Sequence, residues 1–376
     1  MPERLSLADR LRQRIKRQGP ITFRDWMEAA LYDSQDGYYC RQGRERWGRA
    51  GDYRTSPERS PLFAATFARY FARLYESLNS PVSWTIVECG AGAGYFAEVL
   101  LATLSSRFPP IFSATSYVID EASAGSSAAA QARLARFAER IEFRRLDSIS
   151  SIDNGVVFSN ELLDAFPLHR VTMRGGKLCE MYVGLDQGGR FEWTVRPLSD
   201  SRLSEYFEFA GVHLADGQTA EVNLDLEDWL TNVAGKLRQG YVVTVDYGAE
   251  AAELYKNRGP VEGTLRAFRR HQFANDVLAD PGEQDITATV SWPFVRRVGE
   301  KLGLETIEFQ GQDQFLISAG LLEELERMVA ETADEALRLQ LRTSAREMIL
   351  PNGMADSFQV LVQKSSPGET ARTVET

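Results

Sequence analysis

Residues 84–100 read WTIVECGAGAGYFAEVL. Trp84 to Val87 are apolar or β-branched and Glu88 closes the run, the pattern of a strand buried on both faces. Gly90, Gly92 and Gly94 follow as a tight turn, and the segment from Tyr95 carries a helical period. Glycines allow a ligand close to the backbone, and the start of the next helix turns free amides towards it. The pattern repeats downstream. SYVIDEAS (116–123), IEFRRLD (141–147) and GVVFSNELL (155–163) read as strands, with helical AAAQARLARFAER (128–140) between the first two. This β-α-β-α-β alternation predicts a doubly wound, mostly parallel sheet of the α/β class.

The turn narrows the ligand. No Gly-Lys-Ser/Thr follows, so a triphosphate loop is not expected. The spacing is GxGxG rather than GxGxxG, and the acid Glu88 precedes it, which suits a cationic ligand better than a pyrophosphate. An acid on the first strand followed by GxGxG is the usual signature of class I (Rossmann-like) methyltransferases that use S-adenosylmethionine, a cation with no phosphate. An NAD(P) oxidoreductase is disfavoured on the same grounds. Asp120 and Glu121 end the second strand, where an acid can accept hydrogen bonds from ribose hydroxyls; either could do so, with Glu121 preferred. Asp147 falls after the third strand, where such folds contact the adenine amino group.

The fourth strand runs into SNELLDAFPLHR (159–170). Its end faces the reactive part of a ligand in a doubly wound sheet. Asn160, Glu161 and Asp164 stand there in place of the [DN]PP[YF] box of DNA and glutamine methyltransferases. Two carboxylates suit a cationic nucleophile, because a carboxylate grips a guanidinium through two parallel hydrogen bonds. SNELLDAF is also locally similar to the Ser-Glu-Leu-Leu loop of symmetric-type protein arginine methyltransferases.

Outside this core, Thr22 and Asp25 predict a capped helix over 22–32, and Ser60-Pro61 opens a long helix with Phe63, Phe67, Tyr70, Phe71 and Leu74 on its apolar face. Leu5, Ala8, Leu11 and Ile15 predict an amphipathic N-terminal helix rather than a transit peptide, which would lack Glu3 and Asp9. The Gly-Gly and Asp-Gln-Gly-Gly breaks in 171–195 predict β-hairpins. YVVTVDYG (241–248), LETIEFQ (304–310) and SFQVLVQK (357–364) return as strands, and 320–348 reads as the longest helical stretch. The expected division is an N-terminal helical cap and lid over 1–80 and a methyltransferase core over 81–364. That core would carry a hairpin insertion at 171–222 and an irregular or helical insertion at 249–300, with a polar tail over 365–376.

Composition sets outer limits. The 376 residues are 43% hydrophobic and 26% charged, ordinary for a globular chain, and no run approaches the ~20 apolar residues of a membrane span. The net charge of −10 is the wrong sign for a protein that grips DNA. Two Arg clusters, Arg41, Arg44, Arg46 and Arg49, and Arg266, Arg269 and Arg270 with His271, read as solvated surface by default, or as contacts with an acidic partner protein or RNA. Cys40, Cys89 and Cys179 are dispersed and the histidines number three, so neither a disulfide framework nor a structural metal site is expected.

Seven blocks in order resemble the MidA-type family of S-adenosylmethionine-dependent methyltransferases: GDYRTSPERSPLF (51–63), VECGAGAGYFAEVL (87–100), SNELLDAFPLHR, VDYG (245–248), GTLRAFRRH (263–271), DPGEQDITATVSW (280–292) and MADSFQVLVQ (354–363). Eukaryotic members are mitochondrial complex I assembly factors with protein arginine methyltransferase activity. The resemblance implies S-adenosylmethionine as cofactor and a protein arginine as acceptor, in a respiratory complex subunit. It assigns Gly90, Gly92 and Gly94 to the cofactor turn, Glu121 to the acid after the second strand, and Asn160, Glu161 and Asp164 to the Asn-Glu-x-x-Asp segment. It makes the Thr55–Pro57 segment a lid over the cofactor carboxylate. Asp246-Tyr247-Gly248 and Asp285 match two further polar motifs without a derived role; at a strand end Asp246-Tyr247-Gly248 could line the substrate channel, and His271 could be a base, although a lone histidine is more often structural. Ala91 and Ala93 stand where the family often has Pro and Arg, Leu162-Leu163 where it has Phe-Phe, and Met354-Ala355 where it has Met-Gly. A cytoplasmic, bacterial-type chain is expected rather than a mitochondrial matrix one, with a protein substrate, no DNA, and a homodimer left open. Competing readings are a small-molecule or RNA methyltransferase and a binding assembly factor that retains the cofactor with little catalysis.

Overall fold

The computed structural model describes residues 4–41, 60–256, 263–269, 272–350 and 357–365. Thr55, Pro57, Arg44, Arg46, Arg49, Arg270, His271, Met354 and Ala355 lie outside them. The chain forms two compact units, each discontinuous. One comprises Met1–Tyr53, Leu163–Trp229 and Gly248–Val295, the other Arg54–Leu162, Leu230–Tyr247 and Arg296–Thr376.

The second unit holds the sheet. Its strands are β1 (Trp84–Cys89), β2 (Thr115–Asp120), β3 (Ile141–Phe143), β4 (Gly155–Asn160), β5 (Gly240–Ala249), β6 (Leu304–Gly311) and β7 (Phe358–Ser365). They lie in the order 3-2-1-4-5-7-6, with β7 antiparallel to both neighbours and β1 to β5 parallel. The order reverses between β1 and β4, and ligands of such sheets bind outside the carboxyl ends of the strands at that reversal. The expected class I, mostly parallel α/β fold is therefore the observed one.

Helix α1 (Pro61–Ser77) begins as its sequence dictates: the Ser60 hydroxyl accepts from the Leu62 amide, and Pro61 occupies the first turn. It packs as part of the sheet unit. Phe67 sits 5.3 Å from Phe158 of β4 and 5.2 Å from Phe315, and Phe96 stacks on Phe158 at 4.2 Å. α1 thus belongs with the sheet rather than with an N-terminal cap reaching residue 80, because its aromatic face completes the sheet's core. The long helical stretch expected over 320–348 is two helices, Leu321–Glu331 and Glu335–Ile349. Asp334 caps the second by accepting from the Ala336 and Leu337 amides. At 17 residues, α1 is longer than either.

Glu324 is fully buried and ion-paired with Arg107 and Arg327, the latter at 2.9 Å. Removing one partner of a buried pair strands the others. Arg107 and Arg327 keep about a quarter of their side chains exposed and stay partly solvated, so Glu324→Gln should lower stability by about 1–2 kcal/mol, read as a fall in urea midpoint.

The first unit begins with helices Leu7–Gln18 and Phe23–Tyr32, capped by Ser6 and Thr22. Leu7, Leu11 and Ile15 form the buried stripe of the first, and Leu5 precedes it and stays exposed. The hairpin His169–Arg174/Lys177–Leu185 turns on Gly175-Gly176, both at positive φ, as a two-residue turn with the twist of its strands requires. Strands Phe191–Arg196 and Thr219–Val222 extend this sheet, and helix Arg202–Ala210 lies between them in sequence. The stretch expected to be irregular or helical contains a three-stranded sheet of Arg266–Arg269, Gln272–Phe273 and Asp285–Thr287. The strands are too short for alternation to announce them. Among the described residues, no helix is long and apolar enough to cross a membrane.

Candidate active site

Register brings the motifs together. Cys89 of β1 pairs with Asp120 of β2 on one side and Ser159 of β4 on the other, and Val245 of β5 pairs with Asn160. Glu121, Gly90 and Glu161, which leave their strands, therefore emerge side by side, with Asp246 of β5 next in the row beside Glu161. Gly90, Gly92 and Gly94 have φ of +74°, +54° and +78°, the left-handed region that penalises any side chain. A Cβ on Gly90 would lie 3.0 Å from Cδ1 of Leu162, so the absent side chain lets the glycine turn and the β4 loop touch. A Cβ on Gly94 would lie 3.1 Å from Ala130 Cβ and 3.3 Å from Ala130 Cα, on helix α3 (Ala124–Arg133). From that helix Arg133 donates to the Ala93 carbonyl at 2.9 Å and lies over the Tyr95 ring. Helix α2 (Tyr95–Arg107) starts at Gly94 without a side-chain cap, which leaves its first amides facing the turn.

The acids divide by environment. Glu121 bridges the site: one carboxylate oxygen accepts the Gly92 amide at 2.8 Å, the other the Ser123 amide at 2.7 Å. Burial pushes its carboxyl up, against these amides. Each oxygen keeps lone-pair capacity for a further donor. Asp120 is ion-paired with Arg145 at 2.8 Å; burial raises its carboxyl and Arg145 opposes the rise. Asp147 is exposed, and its carboxylate is held by the Asn232 side chain. Asn160 donates to a Glu161 carboxylate oxygen at 3.2 Å, while its own Oδ1 is buried without a hydrogen-bond partner. Glu161 has φ +52°, unusual for a residue with a side chain. Asp164 is buried in the other unit, where its carbonyl accepts the Ala288 amide at 3.0 Å. Asp285, also in that unit, accepts from the Tyr39 hydroxyl at 2.6 Å.

Glu88 is the deepest acid. It is 4% exposed and accepts from the Tyr117 hydroxyl at 2.7 Å. Burial pushes its carboxyl up to about 8. Between its ordinary value of 4.5 and about 8 the folded chain holds a proton that the unfolded chain has lost. This contribution to stability is complete at acid pH and disappears as pH rises through 8. Ligand-free Glu88→Gln, which keeps an acceptor for Tyr117, should melt near wild type at pH 5 and several degrees above it at pH 8.5. Equal differences at both pH values would show that Glu88 ionises normally.

Sequence reading missed Leu162, Arg133 and Tyr117. Tyr117 was accessible in principle. It pairs with Ile86, which shares a strand face with Glu88, so its hydroxyl reaches the diagonal neighbour. Nothing local marks Arg133, and Leu162 stands out only as one of two leucines where the family has Phe-Phe.

The sheet order, the left-handed glycine turn and the acids around it define an S-adenosylmethionine-dependent methyltransferase. The cradle fits that cofactor: a helix start without a side-chain cap and a carboxylate bridging to the glycine turn. Residues 66–310 match the family described as "putative S-adenosyl-L-methionine-dependent methyltransferase". The chain belongs to this family, the MidA-type methyltransferases. A crystal structure from Burkholderia thailandensis with S-adenosyl-homocysteine bound superposes with a TM-score of 0.83 at 29% identity, covering 95% of this chain and 91% of that one. Curated relatives include the protein arginine methyltransferase NDUFAF7 homolog, mitochondrial, of Drosophila melanogaster. It is 27% identical over 79% of this chain and 71% of its own length. The Xenopus laevis protein arginine methyltransferase NDUFAF7, mitochondrial, is also 27% identical, over 94% and 83%.

Proposed function

We propose that the chain methylates an arginine side chain of a protein partner, such as a respiratory complex subunit, in a bacterial-type cytoplasm. The observation that carries this reading is the acceptor character of the β4 end: the Glu161 carboxylate and the unsatisfied Asn160 Oδ1 directly precede Leu162, which touches Gly90 of the turn. Such a site favours a donor-rich cation, and a guanidinium offers five N–H groups. The names of the curated relatives point the same way.

In this reading Glu121 accepts the ribose hydroxyls, with Asp120 held off by Arg145. Gly90, Gly92 and Gly94 admit the cofactor to the backbone, and Glu88, which holds its proton up to about pH 8, would support the cationic end by releasing that proton on binding. Asp147, whose carboxylate accepts from Asn232, is the candidate for the adenine amino group. Thr55 and Pro57 belong to the lid. Bound S-adenosylmethionine supplies an electrophilic methyl on a sulfonium. Glu161 orients the guanidinium so that one nitrogen lone pair faces that methyl, and Asp164, three residues on, is the second candidate for that contact. As the N–C bond forms the S–C bond breaks and S-adenosyl-homocysteine leaves as a neutral thioether. The nitrogen then loses its proton to Glu161 or solvent, so no strong base is required ahead of the transition state, and proximity and alignment supply most of the rate.

The test is tritiated-methyl transfer from S-adenosylmethionine into an extract of cells lacking this protein. Label in a protease-sensitive band, released on acid hydrolysis as methylarginine, is the expected result. Label in nuclease-sensitive or dialysable material would overturn the protein acceptor, and release as another methylated residue would overturn arginine.

A further inference from the structure

We propose that Asp246 is a positioning residue: its carboxylate locks the left-handed turn that presents Glu161. The proposal rests on the role given to Glu161 above. Asp246 is fully buried towards the end of β5, against the loop that leaves β4. A buried carboxylate in a methyltransferase sheet is costly unless it is put to use. Here its partners are specific. One oxygen accepts the amide of Leu162 at 3.2 Å, the other the amide of Tyr247 at 2.8 Å.

The need for this anchor lies one residue earlier. Glu161 sits at φ +52°, a conformation that a side chain disfavours and that persists only where its surroundings fix it. The ladder between β4 and β5 ends at Asn160 and Val245. Beyond that pair two amides continue to reach β5: Glu161 N donates to the Val245 carbonyl at 2.9 Å, and Leu162 N to Asp246. These bonds flank the strained residue on consecutive peptide groups and land on consecutive residues of β5. The backbone carbonyl of Val245 is common to any strand. The carboxylate of Asp246 belongs to a side chain, and it fixes the peptide that follows Glu161. The same anchor sets Leu162, whose Cδ1 fills the space left by Gly90. Asp246 therefore acts on the methyl acceptor through Glu161, and on the cofactor turn through Leu162 only by van der Waals contact.

The full-length chain is compared with Asp246→Ala and Asp246→Asn by hydrogen exchange, S-adenosyl-homocysteine calorimetry and the labelled-extract transfer described above. Asp246→Ala should speed exchange of the 160–163 amides at least about tenfold and leave Gly92–Gly94 exchange and S-adenosyl-homocysteine affinity within about threefold. Transfer at saturating S-adenosylmethionine should fall about a hundredfold, as expected for a misplaced reactive contact. Asp246→Asn keeps one acceptor and should fall between Ala and wild type in both exchange and transfer. Unchanged exchange at 160–163 in both variants would overturn the proposal. So would loss of S-adenosyl-homocysteine affinity in step with transfer, which marks a general structural role. If exchange responds as expected while Glu161→Gln retains full transfer, Asp246 orders the loop and the role given to Glu161 is what fails.

Discussion

Glu161→Gln should abolish methyl transfer, by about 10³-fold or roughly 4 kcal/mol of transition-state stabilisation, and leave S-adenosyl-homocysteine affinity within about twofold. The change is nearly isosteric. Asn160 can still donate to the remaining carbonyl oxygen, and the backbone bond from residue 161 to Val245 does not involve the side chain. What disappears is the charge and one of two parallel acceptors, so a guanidinium would meet an amide N–H where it needs a lone pair. Single-turnover transfer alongside calorimetry separates the two quantities. Full transfer in this variant would remove Glu161 from the chemistry.

The second large effect is at Gly94. Gly94→Ala carries about 1–2 kcal/mol of left-handed strain, and crowding against Ala130 adds to it. The opposing atom at 3.3 Å is a backbone carbon of α3, which cannot rotate away as a side chain can. The first turn of α2 must shift, and its amides shift with it. S-adenosyl-homocysteine affinity should fall at least about thirtyfold, with a drop of several degrees in melting temperature. Gly90→Ala faces only the end of the Leu162 side chain and should cost less of both. Calorimetry on the two variants checks the order; an equal loss would mean that the packing of α3 is not what makes Gly94 necessary.

Much of the fold is legible in the order of the amino acids. The alternation from Trp84 to Asn160 announces four parallel strands, because strands buried on both faces leave continuous apolar runs. Ser60-Pro61 and Thr22 mark helix starts because capping is local chemistry. The place of β7 between β5 and β6, by contrast, is a long-range pairing with no local mark. So is the membership of α1 in the sheet unit, which depends on Phe158 and Phe315 as much as on its own phenylalanines. At the site, the glycines and acids stand out by spacing. Asp246 stands out only as an unexplained polar residue, because its partner is an amide of Leu162, 84 positions away. The acids after β2 cannot be separated by spacing alone; Arg145 on Asp120 and Gly92 on Glu121 distinguish them.

The strand order has a consequence for how the polypeptide is made. β1 is complete at residue 89, yet the strand that joins β5 to β6 begins at residue 358. At ~5–20 residues per second a ribosome needs roughly 15–55 s to cover that interval. For roughly the last two-fifths of it the nascent chain carries Gly240–Ala249, and for roughly the last sixth also Leu304–Gly311, with an unfilled place between them. Exposed strand edges invite pairing with other chains, and pairings this distant in sequence form slowly. Recovery of this enzyme in folded form is therefore governed by what shields those edges during translation, and a lower growth temperature or a holding chaperone acts on that interval.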